Sequence, residues 1–125
     1  MTQLVVGAAI VVDGQVLAAR RSAPPELAGR WEFPGGKVET GEDCEAAVVR
    51  ECAEELGVLV QPVHELGVAH GAIELRLWLV ELVTGSPEAL EDHDELRWLG
   101  SESLDEVAWL PIDVELLDCV RPLLK

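Results

Sequence analysis

The chain has 125 residues and a formal net charge of −15, with 24 acidic side chains against nine lysines and arginines. At 49% hydrophobic residues it is too apolar for a disordered segment and long enough to bury the core of one domain. No apolar run reaches the ~18 residues of a membrane span, and duplex DNA is a poor partner for so acidic a chain, because lysine and arginine neutralising phosphates dominate such binding.

Residues 4–12 are apolar and valine-rich and predict a buried strand. Asp13-Gly14 is a hairpin turn signal, after which residues 15–19 return as a second strand. The proline pair and glycine of SAPPELAG make residues 22–29 a loop. Trp31-Glu32-Phe33 predicts a short strand ended by Pro34-Gly35-Gly36. A helical pattern follows over residues 42–56, with Gly57 as its left-handed stop. Residues 58–68 read as a strand with breaks. In residues 73–83, Ile73, Leu75, Leu77 and Leu79 alternate with Glu74 and Arg76, predicting a strand with one exposed face. Residues 84–94 form an acidic loop, 95–99 a last strand, and Ser101 starts a short turn or helix. Pro111 suits the first turn of a terminal helix over residues 112–120, which Pro122 ends. No repeat, low-complexity tract or linker divides the chain, so one domain over residues 1–125 is expected. Cys44, Cys52 and Cys119 are odd in number and lack C-x-x-C spacing, and the first residues lack the basic region of a secretory signal. Reduced thiols and a cytoplasmic location are expected.

The densest chemistry lies in the helical stretch. Glu51, Glu54 and Glu55 stand at i, i+3 and i+4 and share one helix face. Like charges that close repel one another. A divalent cation removes that penalty, and hard cations such as Mg²⁺ take oxygen ligands, so the cluster predicts a metal site. Five of the nine cations, Arg20, Arg21, Arg30, Lys37 and Arg50, lie in or just before this segment.

Residues 36–58, GKVETGEDCEAAVVRECAEELGV, resemble the Nudix box, G-x5-E-x7-R-E-U-x-E-E-x-G-U with U aliphatic. Gly36, Glu42, Arg50, Glu51, Glu54, Glu55, Gly57 and Val58 all fall in register. Cys52 stands at the first aliphatic position, where a buried cysteine acts as a small hydrophobe. The preceding RWEFPGGKVE, the Arg20-Arg21 pair and the length are similar to MutT-type Nudix pyrophosphohydrolases, so the resemblance covers essentially the whole chain. It implies an α/β architecture, the Nudix fold, with a mixed β-sheet sandwiched between helices in the order β-β-β-α-β-β-β-α. It also implies Mg²⁺-dependent hydrolysis of a nucleoside triphosphate to the monophosphate and pyrophosphate, with Mn²⁺ as the substitute ion. The expected partner is a small nucleotide rather than nucleic acid or membrane, and the expected state is a monomer or homodimer.

The same resemblance assigns roles. Glu51, Glu54, Glu55 and the Gly36 carbonyl would ligate metal, with Glu51 or Glu54 accepting the proton of the attacking water. Arg50 would orient a box glutamate through a charge-assisted bond. Glu42 would be a supporting acid, and Glu39 either the same or an exposed loop acid. Asp92, in EALEDHDE, would add a metal ligand or base, while His93 beside it reads as an ordinary surface or core histidine. Arg21 would contact phosphate or base and Phe33 would line the nucleoside pocket, whereas the four tryptophans read as core or rim. Asp113 in WLPIDVELL would read the base edge. An ionised aspartate only accepts, which matches the amine of cytosine or the N1–H and N2 amine of guanine. PPELAGRWEFPGGKVE and the LPxD ending resemble the bacterial branch that prefers cytidine nucleotides. The competing expectations are an 8-oxo-dGTP diphosphatase, an ADP-ribose or dinucleoside polyphosphate hydrolase, and a nucleotide sensor without turnover.

Overall fold

A computed structural model describes residues 2–125. The hairpin of β1 (Gln3–Val12) and β2 (Gln15–Arg21) turns through Asp13 and Gly14, both in the left-handed region that two-residue hairpins require. Then come β3 (Trp31–Glu32), β4 (Gly35–Lys37), α1 (Cys44–Leu56), β5 (Leu59–His70), β6 (Ile73–Thr84) and β7 (His93–Leu99). A 3-10 turn at Leu104–Glu106 leads to α2 (Pro111–Val114) and α3 (Leu117–Val120). Seven strands form one mixed sheet in the order β3-β2-β1-β6-β5, with β4 on β1 and β7 on β2. β1 runs parallel to β6 from Gln3↔Ile73 to Ile10↔Val80, and the other pairings are antiparallel.

The period-two alternation of β1 feeds two cores. Val6, Ala8 and Ile10 face α1, packing with Ala47, Val48, Cys52 and Leu56. Ala9 faces the other way, into a cluster with Leu77, Trp31, Phe33, Trp109 and the C-terminal Leu116, Leu117 and Val120. The sheet therefore lies between α1 and the C-terminal helical turns, the sandwich that the sequence predicts. Full burial of each such Val, Leu or Phe stabilises the fold by about 1.5–3 kcal/mol. The Asp43 carboxylate caps α1 by accepting the Ala46 N–H at 2.7 Å, and Gly57 closes it in the left-handed conformation, its N–H donating to the Ala53 carbonyl. No helix among the described residues is long and apolar enough to cross a membrane.

Four elements differ from their sequence expectation. Gly35–Lys37 does not merely end β3 but pairs with β1 at Gly7, Val6 and Val5. A Cβ at Gly35 would strike the Val6 carbonyl oxygen, so glycine is what lets the two backbones approach. β6 is covered on both faces over most of its length, because a core lies on each side of the sheet: Leu75 and Leu77 enter one, and Trp78, Val80 and Leu82 pack against the other, leaving Glu81, Val83 and Thr84 exposed at its end. The acidic loop is shorter than expected, since His93 and Asp94 already belong to β7, with His93 opposite Arg21. The terminal helix is broken into α2 and α3. At the break the Leu116 N–H donates to the Asp113 carbonyl and the Cys119 N–H to the Leu116 carbonyl, tight i→i+3 turns that bury both Leu116 and Leu117.

Candidate metal and nucleotide site

α1 lays its carboxylate face on the Gly35-Gly36 backbone. A Cβ at Gly36 would collide with the Glu51 carboxyl, so that carboxyl rests where only a glycine permits it. Glu55 Oε1 accepts the Gly35 N–H at 2.8 Å and is 9% exposed, whereas the Glu54 side chain is 47% exposed. Burial pushes the Glu55 carboxyl up to about 8, with the charges of Glu32 and Glu51 adding to it and His93 and the Gly35 N–H opposing. Burial also raises Glu51, against the pull of the Arg50 guanidinium.

Arg50 organises the box acids. Its Nε and Nη2 donate to the two Glu42 oxygens at 2.9 Å each, Nη2 also to the Lys37 carbonyl at 2.9 Å, and Nη1 to Glu51 Oε1 at 3.1 Å. Glu39 and Glu54 lie farther off, each 3.6 Å from Nη1. The bond from Arg50 and the Glu39 N–H draw the Glu42 carboxyl down to about 2. This forked clamp holds Glu42 and Glu51, consistent with an orienting arginine.

The donors in this region are all oxygens: three carboxyls and the Gly36 backbone. Among the described residues, no three carboxylate, imidazole or thiol groups already converge as an ion cage. The electrostatics nonetheless fit a hard divalent cation. Two of the three carboxyls are pushed towards their neutral form by burial, with neighbouring glutamates adding, and such crowding is what a cation relieves.

Beside the box, and sharing Gly35 and Gly36 with it, opens a cavity of about 320 Å³ whose walls include Arg21, Glu32, Phe33, Lys37 and Asp113. Phe33 stacks at 4.7 Å and 36° on Trp109. Its N–H donates to Asp113 Oδ1 at 3.0 Å. Asp113 is 3% exposed, and burial pushes its carboxyl up to about 8, with the Glu32 charge adding and the Phe33 N–H opposing. The sequence reading treats Asp113 as an ionised acceptor. In the fold its burial favours the neutral form, which both donates and accepts. A larger hollow of about 640 Å³ near Gln15, Ser101 and Lys125 shares no residue with this cavity.

The structure thus sets Glu51 and Glu55 against Gly35 and Gly36, which line the cavity, with Arg50 linking Glu51 to Glu42 and Glu54 beside it, and puts Arg21, Phe33 and Asp113 in the cavity walls. Arg21 is braced there by bonds from Nε to the Ala23 carbonyl (3.0 Å) and from Nη1 to Glu32 Oε2 (2.9 Å). Glu39 is an exposed loop acid. Asp92 is exposed in a left-handed turn, its carbonyl accepting the Ser22 N–H at 2.7 Å. Of the acids in that loop, the neighbouring Glu91 is the one whose charge raises Glu51. Glu91 is therefore a site candidate that the sequence reading passes over. So is Glu32, which faces the fully buried ring of His93, a residue that the sequence reads as an ordinary surface or core histidine, with Nε2 and Oε2 2.8 Å apart. Nothing local marks either residue, since they are 61 positions apart and meet only through the sheet.

A family model described as a NUDIX domain matches residues 1–118. The chain is 45% identical over 122 residues to "Putative 8-oxo-dGTP diphosphatase 2" of Mycobacterium tuberculosis, covering 90% of this chain and 84% of that one. It is 38% identical over 124 residues to the CTP pyrophosphohydrolase of Escherichia coli K12, covering 95% and 91%. Among solved structures, the solution structure of the E. coli ORF135 protein superposes with a TM-score of 0.79 at 32% identity, over 94% of this chain and 87% of that one. A MutT NUDIX hydrolase from Burkholderia pseudomallei superposes at 0.74 and 30% identity, over 96% of both.

Proposed function

The chain belongs to the Nudix family and is a hydrolase of phosphoanhydride bonds in nucleoside triphosphates, and from that premise we propose that it converts cytidine triphosphates, CTP and dCTP or their modified forms, to the monophosphate and pyrophosphate. The carrying observation is the junction at Gly35-Gly36, where the box glutamates abut a cavity walled by Phe33 and Asp113. A neutral Asp113 can donate to N3 of cytosine while accepting from its N4 amine, a two-point match to that base edge. Adenine N1 and N6 offer the same pattern, so an adenine nucleotide is the natural control.

Members of the family generally require a divalent metal ion, and here we propose Mg²⁺, with Mn²⁺ as substitute. Bound by Glu51, Glu54, Glu55 and the Gly36 carbonyl, it would offset the triphosphate charge and polarise the phosphoryl group. Glu54 is the most exposed of the three glutamates, so it takes the proton of the attacking water. Glu51 is instead packed on Gly36 and held by Arg50. Arg21 and Lys37 bring positive charge to the cavity wall for the phosphates.

Pyrophosphate release from CTP, dCTP, 5-methyl-dCTP, dATP, dGTP and 8-oxo-dGTP with Mg²⁺ tests the reading. Preference for the cytidine set, with Glu54→Gln lowering kcat while KM holds, supports it. A second reading, 8-oxo-dGTP as substrate, is favoured by the name of the 45% identical relative. That base presents N1–H and N2–H donors, which an ionised Asp113 would have to accept. Preference for 8-oxo-dGTP would therefore replace the cytidine assignment.

A further inference from the structure

We propose that His93 is a positioning residue: it clamps Glu32, and through Glu32 fixes Arg21, in the wall of the nucleotide cavity, so that it governs substrate binding rather than the chemical step. The proposal rests on the cavity being the nucleotide site, as argued above.

The sheet builds the clamp. β2 has β3 on one side and β7 on the other, with Ala19 opposite Glu32 and Arg21 opposite His93, and a register shift between Arg20 and Arg21 accompanies the second pairing. A single carboxylate oxygen, Glu32 Oε2, thereby receives Arg21 Nη1 at 2.9 Å and His93 Nε2 at 2.8 Å. A carboxylate offers no proton, so Nε2 is the protonated ring nitrogen and donates. The His93 side chain is 0% exposed, and its Nδ1 is buried with no hydrogen-bond partner among the described residues. The contact that accounts for an imidazole here is the one made by Nε2. The groups facing the ring are Glu32, Glu55 and Arg21, so it sits between the cavity wall and the glutamate face of α1.

The consequence concerns rigidity. Among the described residues, Arg21 has only the Ala23 carbonyl and Glu32 as side-chain partners, and Glu32 has only Arg21 and His93. Remove His93, and the Glu32 carboxylate keeps one anchor, itself a flexible guanidinium. Both cavity-wall side chains then gain rotamers that nucleotide binding must freeze, which weakens binding without touching the box glutamates.

The test compares His93→Leu, which removes the donor, with His93→Gln, whose amide nitrogen can reach the Nε2 position. We expect His93→Leu to raise KM for the preferred triphosphate about tenfold with kcat changed less than about twofold, and His93→Gln to recover most of that loss. In Glu32→Ala, which removes the acceptor, His93→Leu should add little further. The dissociation constants of CTP (Ca²⁺ in place of Mg²⁺) and of CMP, followed by titration calorimetry, should rise in parallel with KM. That readout needs no turnover, so an inactive wild type that still binds nucleotide refutes the hydrolase assignment while leaving the clamp measurable. Equal defects in His93→Leu and His93→Gln, a fall in kcat at constant KM, or full additivity with Glu32→Ala would each overturn the proposal, as would a wild-type protein that binds neither nucleotide.

Discussion

Asp113→Asn separates the shape of the proposed base-reading group from its charge. The Asp113 carboxyl, pushed from 3.8 to about 8 by burial, is ~90% neutral at pH 7 and ~10% neutral at pH 9. If only the neutral form pairs with cytosine, kcat/KM for CTP falls about tenfold per pH unit above 8. Asparagine keeps a donor and an acceptor at every pH, and its carbonyl can still accept the Phe33 N–H now bonded to Oδ1. Glu55 titrates in the same range, but it does so in both proteins, so the ratio of wild type to variant isolates position 113. The assay is pyrophosphate release from CTP at saturating Mg²⁺ from pH 6 to 9.5. Stability gives a second reading. An acid whose folded pKa is raised binds more protons folded than unfolded, so its contribution is full below about 3.8 and is lost as pH rises towards 8. Between pH 4 and 7 that is about three units at 1.36 kcal/mol each, at most about 4 kcal/mol, and Asp113→Asn escapes it. The variant should therefore gain stability over wild type between pH 5 and pH 8 in urea unfolding. A wild-type to variant ratio of kcat/KM that stays flat from pH 7 to 9.5, with no such gain in stability, refutes the neutral-acid argument.

Three further outcomes follow from the box. Gly36→Ala puts a methyl into the Glu51 carboxyl, and should cost roughly 10–100-fold in metal affinity with the circular dichroism spectrum unchanged. Arg50→Lys keeps the charge but loses the fork that grips both Glu42 oxygens; a kcat loss on the order of tenfold or more is expected, and wild-type kcat would remove Arg50 from its orienting role. Burial holds Glu55 near 8, and a ligating carboxylate must be ionised. Metal binding at pH 7 should thus release about one proton, seen as a buffer-dependent heat in calorimetry, and apparent affinity should rise with pH up to about 8.

The C-terminal end of α1 and the common face of Glu51, Glu54 and Glu55 were legible in the sequence because helical periodicity and the Gly57 stop are local properties, whereas the start expected at Glu42 falls at Cys44, after the Asp43 cap. The hairpin at Asp13-Gly14 was legible for the same reason, and the unbroken apolar run of residues 4–12 marked β1 as buried, but which of its residues face which core was not. The Arg50–Glu42 fork was within reach, as its partners are eight residues apart in one motif. What the tertiary structure decided involves residues far apart in the chain. The pairing of Gly35 with Gly7 converts a stop signal into a strand under the Glu55 carboxyl. The meeting of Arg21, Glu32 and His93 needs β3, β2 and β7 side by side. The charge of Asp113 depends on its distance from water and on Phe33 and Glu32, some eighty positions away along the chain. A residue's identity supplies its chemical groups, but protonation and partners are properties of the space around it, and that space exists only once the sheet has closed.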